Sequence, residues 1–426
     1  MKKTDGKWAL LFLIISVPLI FWLTSSMEGK IPNNVMERLT LASDGKITSS
    51  KDLPDGIVPV EEYKDTLPQY VDSFRQNDEM VATTYGGSEP YSYLEKNPYL
   101  NTLYEGYIFS IQYDRARGHS YALEDVLGTK RPKAGASCLS CKTSEFETLF
   151  AENKGVAKEN FEEFAAKHVS IGFTCFDCHG ESPGVVKPQR VHLKNALAKN
   201  QAMKNSLPEK SLACAQCHVE YYLNPETKEV VLPWDEGVEA ADMIAYYDKM
   251  DYKDFDHPTT GAHLIKIQHP ETETFAGSVH ASMGLDCATC HMPTVKVEGK
   301  PDMHSHHWTS PLKTAKESCL KCHSNSSEED IIKRAEHLQA PVVEMTDEVG
   351  FALESFIKKV GQAIQAGTLK GDELEKIRTI HRHAQLYFDY VFVENSEGFH
   401  NQKKSLDNLT KAQELINEGM DLLESL

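Results

Sequence analysis

The chain has 426 residues, with 63 Asp and Glu against 45 Lys and Arg and a formal net charge of −18. Its length allows two or three ordinary domains, and its acidity speaks against nucleic acid, whose partners carry basic faces. A small anionic substrate would have to be drawn in by local cations, against the overall field.

In chain order, Lys2, Lys3 and Lys7 precede an apolar run from Trp8 to Leu23, interrupted only by Ser16 and Pro18. This is the layout of a secretory signal, slightly short for a full membrane span. Ser25-Ser26-Met27 is a weak cleavage site, so residues 1–26 are read as a signal peptide or a retained N-terminal membrane anchor. Either way the body of the chain is exported, and the expected location is periplasmic. Residues 27–67, with Pro32, Pro54 and Pro59, read as an extended lead. Residues 85–107 are rich in Tyr, Gly, Pro and Asn and read as irregular backbone packed by aromatic rings.

All ten cysteines then fall in five Cys-x-x-Cys pairs. The first is Cys138-Leu-Ser-Cys141, followed by Lys142. The other four are followed by histidine: Cys175 and Cys178 with His179, Cys214 and Cys217 with His218, Cys287 and Cys290 with His291, Cys319 and Cys322 with His323. Structural zinc does not need a histidine directly after the second cysteine. A two-residue disulfide loop is a poor staple, and a thioredoxin-type motif would not recur five times. In Cys-x-x-Cys-His the thiols bond a haem and the histidine ligates its iron, so the pattern predicts five covalently bound haem c groups. Four would carry electrons. The one with lysine would do chemistry, because a deprotonated Lys142 can serve as a strong proximal donor while the other side of the iron stays open.

Short helices are predicted between the first three sites, from the spacing of Phe161, Phe164, Ala165 and His168 and of Leu193, Ala196 and Leu197. The interval from His218 to Cys287 has no haem motif and is free to build something else. After His323 the texture becomes helical. Ser327-Glu328-Glu329-Asp330 reads as a helix start. Val349, Leu353, Phe356, Ile357, Val360 and Ile364 form an amphipathic stripe, with Thr346 as N-cap and Gly367 as stop. Further helices are expected over 372–393 and 406–423. The fold class is mainly α, a multihaem cytochrome c with little β, divided into a pentahaem catalytic region (27–325) and a long-helix region (326–426). The latter reads as a cap over the haems or as a homodimer interface.

Of 18 histidines four follow cysteine pairs, leaving fourteen to supply the opposite faces of the irons. His119, His280, His306 and His400 lie in Gly-rich or polar turns close to haem sites or helix ends.

One lysine site placed first, four histidine sites, Val219-Glu220-Tyr221-Tyr222 after the third site and Lys266-Ile-Gln268-His269-Pro270 before the fourth resemble the pentahaem, ammonia-forming cytochrome c nitrite reductases, from about Tyr85 to His400. The resemblance implies reduction of nitrite to ammonium at the Lys142 haem, with Arg131, Tyr221 and His269 in its distal pocket. It also implies one calcium ion held by Glu220, the carbonyls of Tyr221 and Lys266 and the side chain of Gln268, an all-oxygen set suited to Ca²⁺. His306, His119, His400 and His280 are implied as distal ligands of the second, third, fourth and fifth haems, the last seven residues before Cys287. The implied electron donor is a soluble multihaem cytochrome or a membrane quinol dehydrogenase. The alternatives are a multihaem reductase of hydroxylamine or sulfite, and a non-catalytic electron carrier, for which the lysine site and the Glu220–Gln268 constellation would have no use.

Overall fold

The computed structural model describes residue 53, residues 56–180 and residues 184–426. The expected signal or anchor, and most of the expected lead, lie outside these residues. The fold is mainly helical. Regular β-structure among the described residues is confined to three two-stranded antiparallel ribbons: β1 (Tyr222–Leu223) with β2 (Val230–Val231), β3 (Phe255–Asp256) with β4 (His263–Leu264), and β5 (Thr294–Val295) with β6 (Met303–His304).

The first α-helix among the described residues, α1 (Pro68–Arg75), opens on a proline, whose missing N–H costs nothing in a first turn. The aromatic stretch before the first cysteine pair is mostly irregular but folds into single turns at Tyr93–Lys96 and Leu100–Leu103. Helices α2 (Phe161–His168) and α3 (Val191–Lys199) follow the predicted spacing. Asn160 caps α2 by accepting from the Glu163 amide. The cysteine pairs sit on or beside short helical turns, such as Ala136–Leu139, Phe176–His179 and Cys287–His291. On such a turn residues i and i+3 share a face, so both thiols of a pair point the same way. Helix α4 (Ala240–Lys249) is built in the long interval, with a capping box between Glu239 and Asp242.

Three long helices finish the chain: α5 (Glu328–Ala366), α6 (Gly371–Phe392) and α7 (Gln402–Glu424). Their shared core holds Val349, Leu353, Phe356 and Ile357 of α5, Ile377, Ile380 and Phe388 of α6, and Leu409, Ala412 and Ile416 of α7. Tyr99, Leu100, Leu103 and Tyr104 pack into the same cluster, which ties the segment before the first haem site to the helices. The approach of α7 is close: a Cβ on Gly419 would lie 2.5 Å from the Phe356 ring.

The expected start at Thr346 is corrected. Helix α5 is continuous for 39 residues, begins at the Ser327–Asp330 capping box and contains Pro341. The Thr346 hydroxyl donates to the Val342 carbonyl inside the helix, 2.7 Å away. Pro341 is tolerated because it lies on the exposed side, where the carbonyl it deprives of a partner can bond water. Gly367, in the left-handed region at φ 72°, ends the helix as expected.

Candidate functional site

A pocket of about 70 Å³ lies between residues 104–113 and 266–269. Tyr104, Tyr107, Tyr113, Arg131, Lys266, Gln268 and His269 line it. Arg131 is held by its Nε, which donates to the Gln112 carbonyl, and its guanidinium lies 5.1 Å from the Tyr113 ring centre. Lys266 donates to the Ile267 carbonyl and lies 3.7 Å from Asp389 of α6, whose other carboxylate oxygen accepts from the Tyr104 hydroxyl at 2.6 Å. The C-terminal helices thus hold one wall of the pocket. Burial raises the Asp389 carboxyl to about 6, with Lys266 opposing the shift.

The Tyr221 and His269 rings are 6.5 Å apart. Burial raises the Tyr221 phenol, and the Cys141 and Cys138 thiols add to the shift, so the ring stands beside the first cysteine pair. His269 is enclosed by protein yet open toward the pocket. That enclosure lowers its proton affinity, Glu271 opposes the change, and Lys142, His218 and Lys266 reinforce it. Arg131 and His269 therefore share a pocket, Tyr221 adjoins His269, and Lys142 is near enough to act on His269, although Tyr221 and Lys142 do not line the pocket. Sequence reasoning passed over Tyr104, Tyr107 and Tyr113. Their signal was the aromatic density of 85–113, which reads equally well as packing.

The histidines test the site for haem. Two imidazoles sharing one ion, with metal–nitrogen bonds of about 2 Å, have ring centres roughly 6 Å apart. His179 and His306 are 6.2 Å apart, His291 and His400 6.3 Å, and His218 and His119 5.8 Å. His280 is close enough to His323 for that ring to add to the lowering of its proton affinity, which burial leads. The Nδ1 atoms of His179, His291 and His306 contact the carbonyls of Val185, Thr309 and His304 at 3.1, 3.1 and 3.0 Å. A carbonyl only accepts, so Nδ1 carries the proton and Nε2 keeps the lone pair a metal needs. Buried His192 and His257 have the opposite arrangement, their Nε2 atoms donating to the carbonyls of Gln216 and Thr102 at 2.6 and 2.8 Å. They are structural. The residues therefore fit haem iron.

The cysteine pairs also meet one another. The Cys141 and Cys217 thiols lie close enough to perturb one another's protonation, as do those of Cys214 and Cys287. The first, third and fourth attachment segments accordingly form a contiguous row. Arg190, 1% exposed, is buried beside Cys141 and Cys217 and pairs with Asp177 at 2.6 Å.

The calcium set fits as well. Glu220 is fully buried, accepting from the Tyr247 hydroxyl at 2.8 Å and the Gln268 amide N–H at 2.5 Å. Burial drives its carboxyl well above the usual range, and Glu273 and Asp254 add to the effect. Glu273, also fully buried, is raised to about 8 by burial, and its Oε2 has no partner. Glu220 has no lysine or arginine partner among the described residues. Uncompensated buried carboxylates call for a cation. The Gln268 side chain already reaches the Lys266 carbonyl, 2.7 Å away.

Five cysteine-pair turns and imidazoles at the separation of a shared iron, on a mainly helical frame, define a multihaem c-type cytochrome. The chain belongs to the cytochrome c552 family, whose pattern its residues 59–426 match. It is 33% identical over 406 residues to the cytochrome c nitrite reductase subunit NrfA of Nitratidesulfovibrio vulgaris, an alignment covering 84% of this chain and 77% of that protein. To cytochrome c-552 of Parabacteroides distasonis it is 29% identical over 362 residues, covering 81% of this chain and 70% of the other. Among solved structures, the catalytic subunit (NrfA) of cytochrome c nitrite reductase from Desulfovibrio desulfuricans, which has two calcium sites, superposes with a TM-score of 0.76. That match has 28% identity and covers 86% of each chain.

Proposed function

We propose that this chain is an ammonia-forming cytochrome c nitrite reductase with five covalently bound haem c groups and a calcium ion. The observation that carries the reading is the convergence of Arg131 and His269 on one pocket, with Tyr221 adjacent, beside the only cysteine pair followed by lysine. Kinship to the nitrite reductase of Nitratidesulfovibrio vulgaris supports the same reaction.

Cys138 and Cys141 would attach the catalytic haem and Lys142 would ligate its iron, and the group when bound would supply a binding site for nitrite and the electrons to reduce it. The chain's own part is binding and proton supply. Arg131, fixed by the Gln112 carbonyl and the Tyr113 ring, pairs with the anion and orients its oxygens. His269 donates a hydrogen bond to an oxygen that becomes water, and Tyr221 assists later proton delivery. Lys266 adds positive charge to the same pocket. Glu220, the carbonyls of Tyr221 and Lys266, and the Gln268 amide oxygen hold calcium, which fixes the loop bearing His269.

His179 with His306, His218 with His119, His291 with His400 and His323 with His280 ligate the four remaining irons. Nitrite takes six electrons and eight protons to become ammonium and two waters. Five haems hold at most five electrons, so an external donor refills them within each turnover. That donor is a multihaem cytochrome, soluble or part of a membrane quinol dehydrogenase. Among the described residues no helix is long and apolar enough to cross a membrane. Residues 27–325 form the catalytic region and act in the periplasm. The exposed Phe351 on α5 and the groove between α5 and α7 around Ala363, Ala366 and Met420 support pairing of two copies through the C-terminal helices.

Product analysis with a reduced viologen donor tests the reading. One ammonium per nitrite consumed is expected, and nitrite loss without ammonium, or no nitrite loss at all, overturns it.

A further inference from the structure

The imidazoles that ligate the four histidine-bound irons do not share one kind of outer partner. At the second site both partners are backbone carbonyls: His179 donates to that of Val185 and His306 to that of His304, at 3.1 and 3.0 Å. At the fourth site His291 donates to the Thr309 carbonyl, but the Nδ1 of His400 lies 2.6 Å from Oε1 of Glu394. Glu394 is 2% exposed, and its second oxygen accepts from the Ser396 hydroxyl at 2.6 Å. At the third site the Nδ1 of His218 faces Oε2 of Glu271 at 3.7 Å, and Asn395 holds the other oxygen of that carboxylate. Glu394, Asn395, Ser396 and His400 all belong to the connection between α6 and α7, so one short loop serves both sites.

We propose that Glu394, with Glu271 in a weaker role, is a positioning residue for redox poise that holds the fourth and third irons at lower reduction potential than the second. A carboxylate accepting the Nδ1 proton makes the imidazole a stronger donor to its metal. The iron takes one electron from the donor cytochrome, passing from ferric to ferrous, and carries one positive charge less afterwards. A fixed buried anion opposes that loss of charge, more strongly in a water-poor interior than at a surface. A carbonyl partner exerts no such full charge. The third attachment segment adjoins the first through Cys217 and Cys141, so an electron resting at the carboxylate-backed sites is strongly reducing beside the catalytic haem.

The inference rests on the ligand pairs given under the proposed function, and the experiment separates the two. In the holoenzyme, Glu394→Gln keeps the side-chain shape and a hydrogen-bonding oxygen but removes the charge. Potentiometric titration followed by optical and electron paramagnetic resonance spectra should show five haems retained and one low-spin midpoint moved upward, with Glu394→Asp staying near wild type. Ser396→Ala removes a donor from the carboxylate and should move the same midpoint downward, which keeps the test open should Glu394→Gln fail to assemble. Unchanged or oppositely shifted midpoints in assembled variants overturn the proposal. His400→Met tests the ligand itself: a sulfur-to-iron charge-transfer band and a raised midpoint identify position 400 as ligating. Their absence in a five-haem protein overturns the pairing of His291 with His400, and the redox proposal falls with it.

Discussion

At the scale of single residues, Arg131 and Lys266 line the same small pocket, and under the proposed function they are the local cations that draw an anion into a protein of net charge −18. His269 lines the same pocket. Replacing it by Asn should lower nitrite turnover by roughly 100-fold, measured with a viologen donor at unchanged haem content, whereas unchanged turnover would remove it from the reaction. Lys142→His should keep five haems but alter the absorption and spin state of one; an identical spectrum would show that Lys142 does not ligate. At this scale much was legible in the sequence, because covalent attachment writes both thiols and a ligand into one short motif. The opposite ligands were not legible from position alone. His304, His306 and His307 are near neighbours in sequence, and the 6.2 Å separation from His179 singles out His306. Glu271 and Glu394 carried no signal at all, since an acidic residue meets a histidine only once the chain has folded.

The elements around the site are fastened by polar contacts that no periodicity reveals. Asp248 of α4 accepts from Arg382 and His383 of α6, both at 2.7 Å. Burial works to raise its carboxyl, but the two hydrogen bonds and charges outweigh it and hold the group below its usual range. A carboxyl lowered by folding contributes stability above its unfolded value of about 3.9 and loses that contribution as the pH falls through the lower folded value. Asp248 is 38% exposed, and solvent screening limits the effect, to about 1 kcal/mol. Asp248→Asn should therefore lower the thermal midpoint by about 1–2 °C at pH 7, with the gap closing as the pH falls through the lowered folded value; a gap independent of pH would contradict this account. Gly419→Val should be more damaging, by about 2 kcal/mol or more, because the Cβ alone meets Phe356; denaturant unfolding reads it directly. The apolar stripe of α5 was visible in the sequence, and the ranges expected for the next two helices match α6 and α7. The continuity of α5 was hidden by Pro341, which reads as a break until its exposed side is known.

For the whole molecule, the order of haem motifs and the helical C-terminal region were open to reading, whereas the way the segments close on one another was not. Buried side chains form several separate clusters, one around the long helices, others around 123–169 and 193–234, and one that joins 222–267 to residues 386–393. Side-chain patterning cannot report a core that a cofactor completes. The buried carboxylates Glu220 and Glu273 are the corresponding mark of a cation. Removing calcium with a chelator should lower the thermal midpoint and the nitrite turnover together at constant haem content, and restoring Ca²⁺ should recover both. Insensitivity of both would leave those carboxylates without a counter-ion.

The adjacency of Cys141 with Cys217 and of Cys214 with Cys287 sets an order of events in assembly. Thiols from different motifs that lie side by side in the finished fold are a hazard in an oxidising compartment, where they can couple to each other and block haem addition. A chain that meets the attachment machinery reduced and open, and folds after ligation, avoids this coupling. Chain exported without haem supply should yield Cys141–Cys217 and Cys214–Cys287 cross-linked peptides by mass spectrometry. Adding haem afterwards should mature it only once a reductant has separated them.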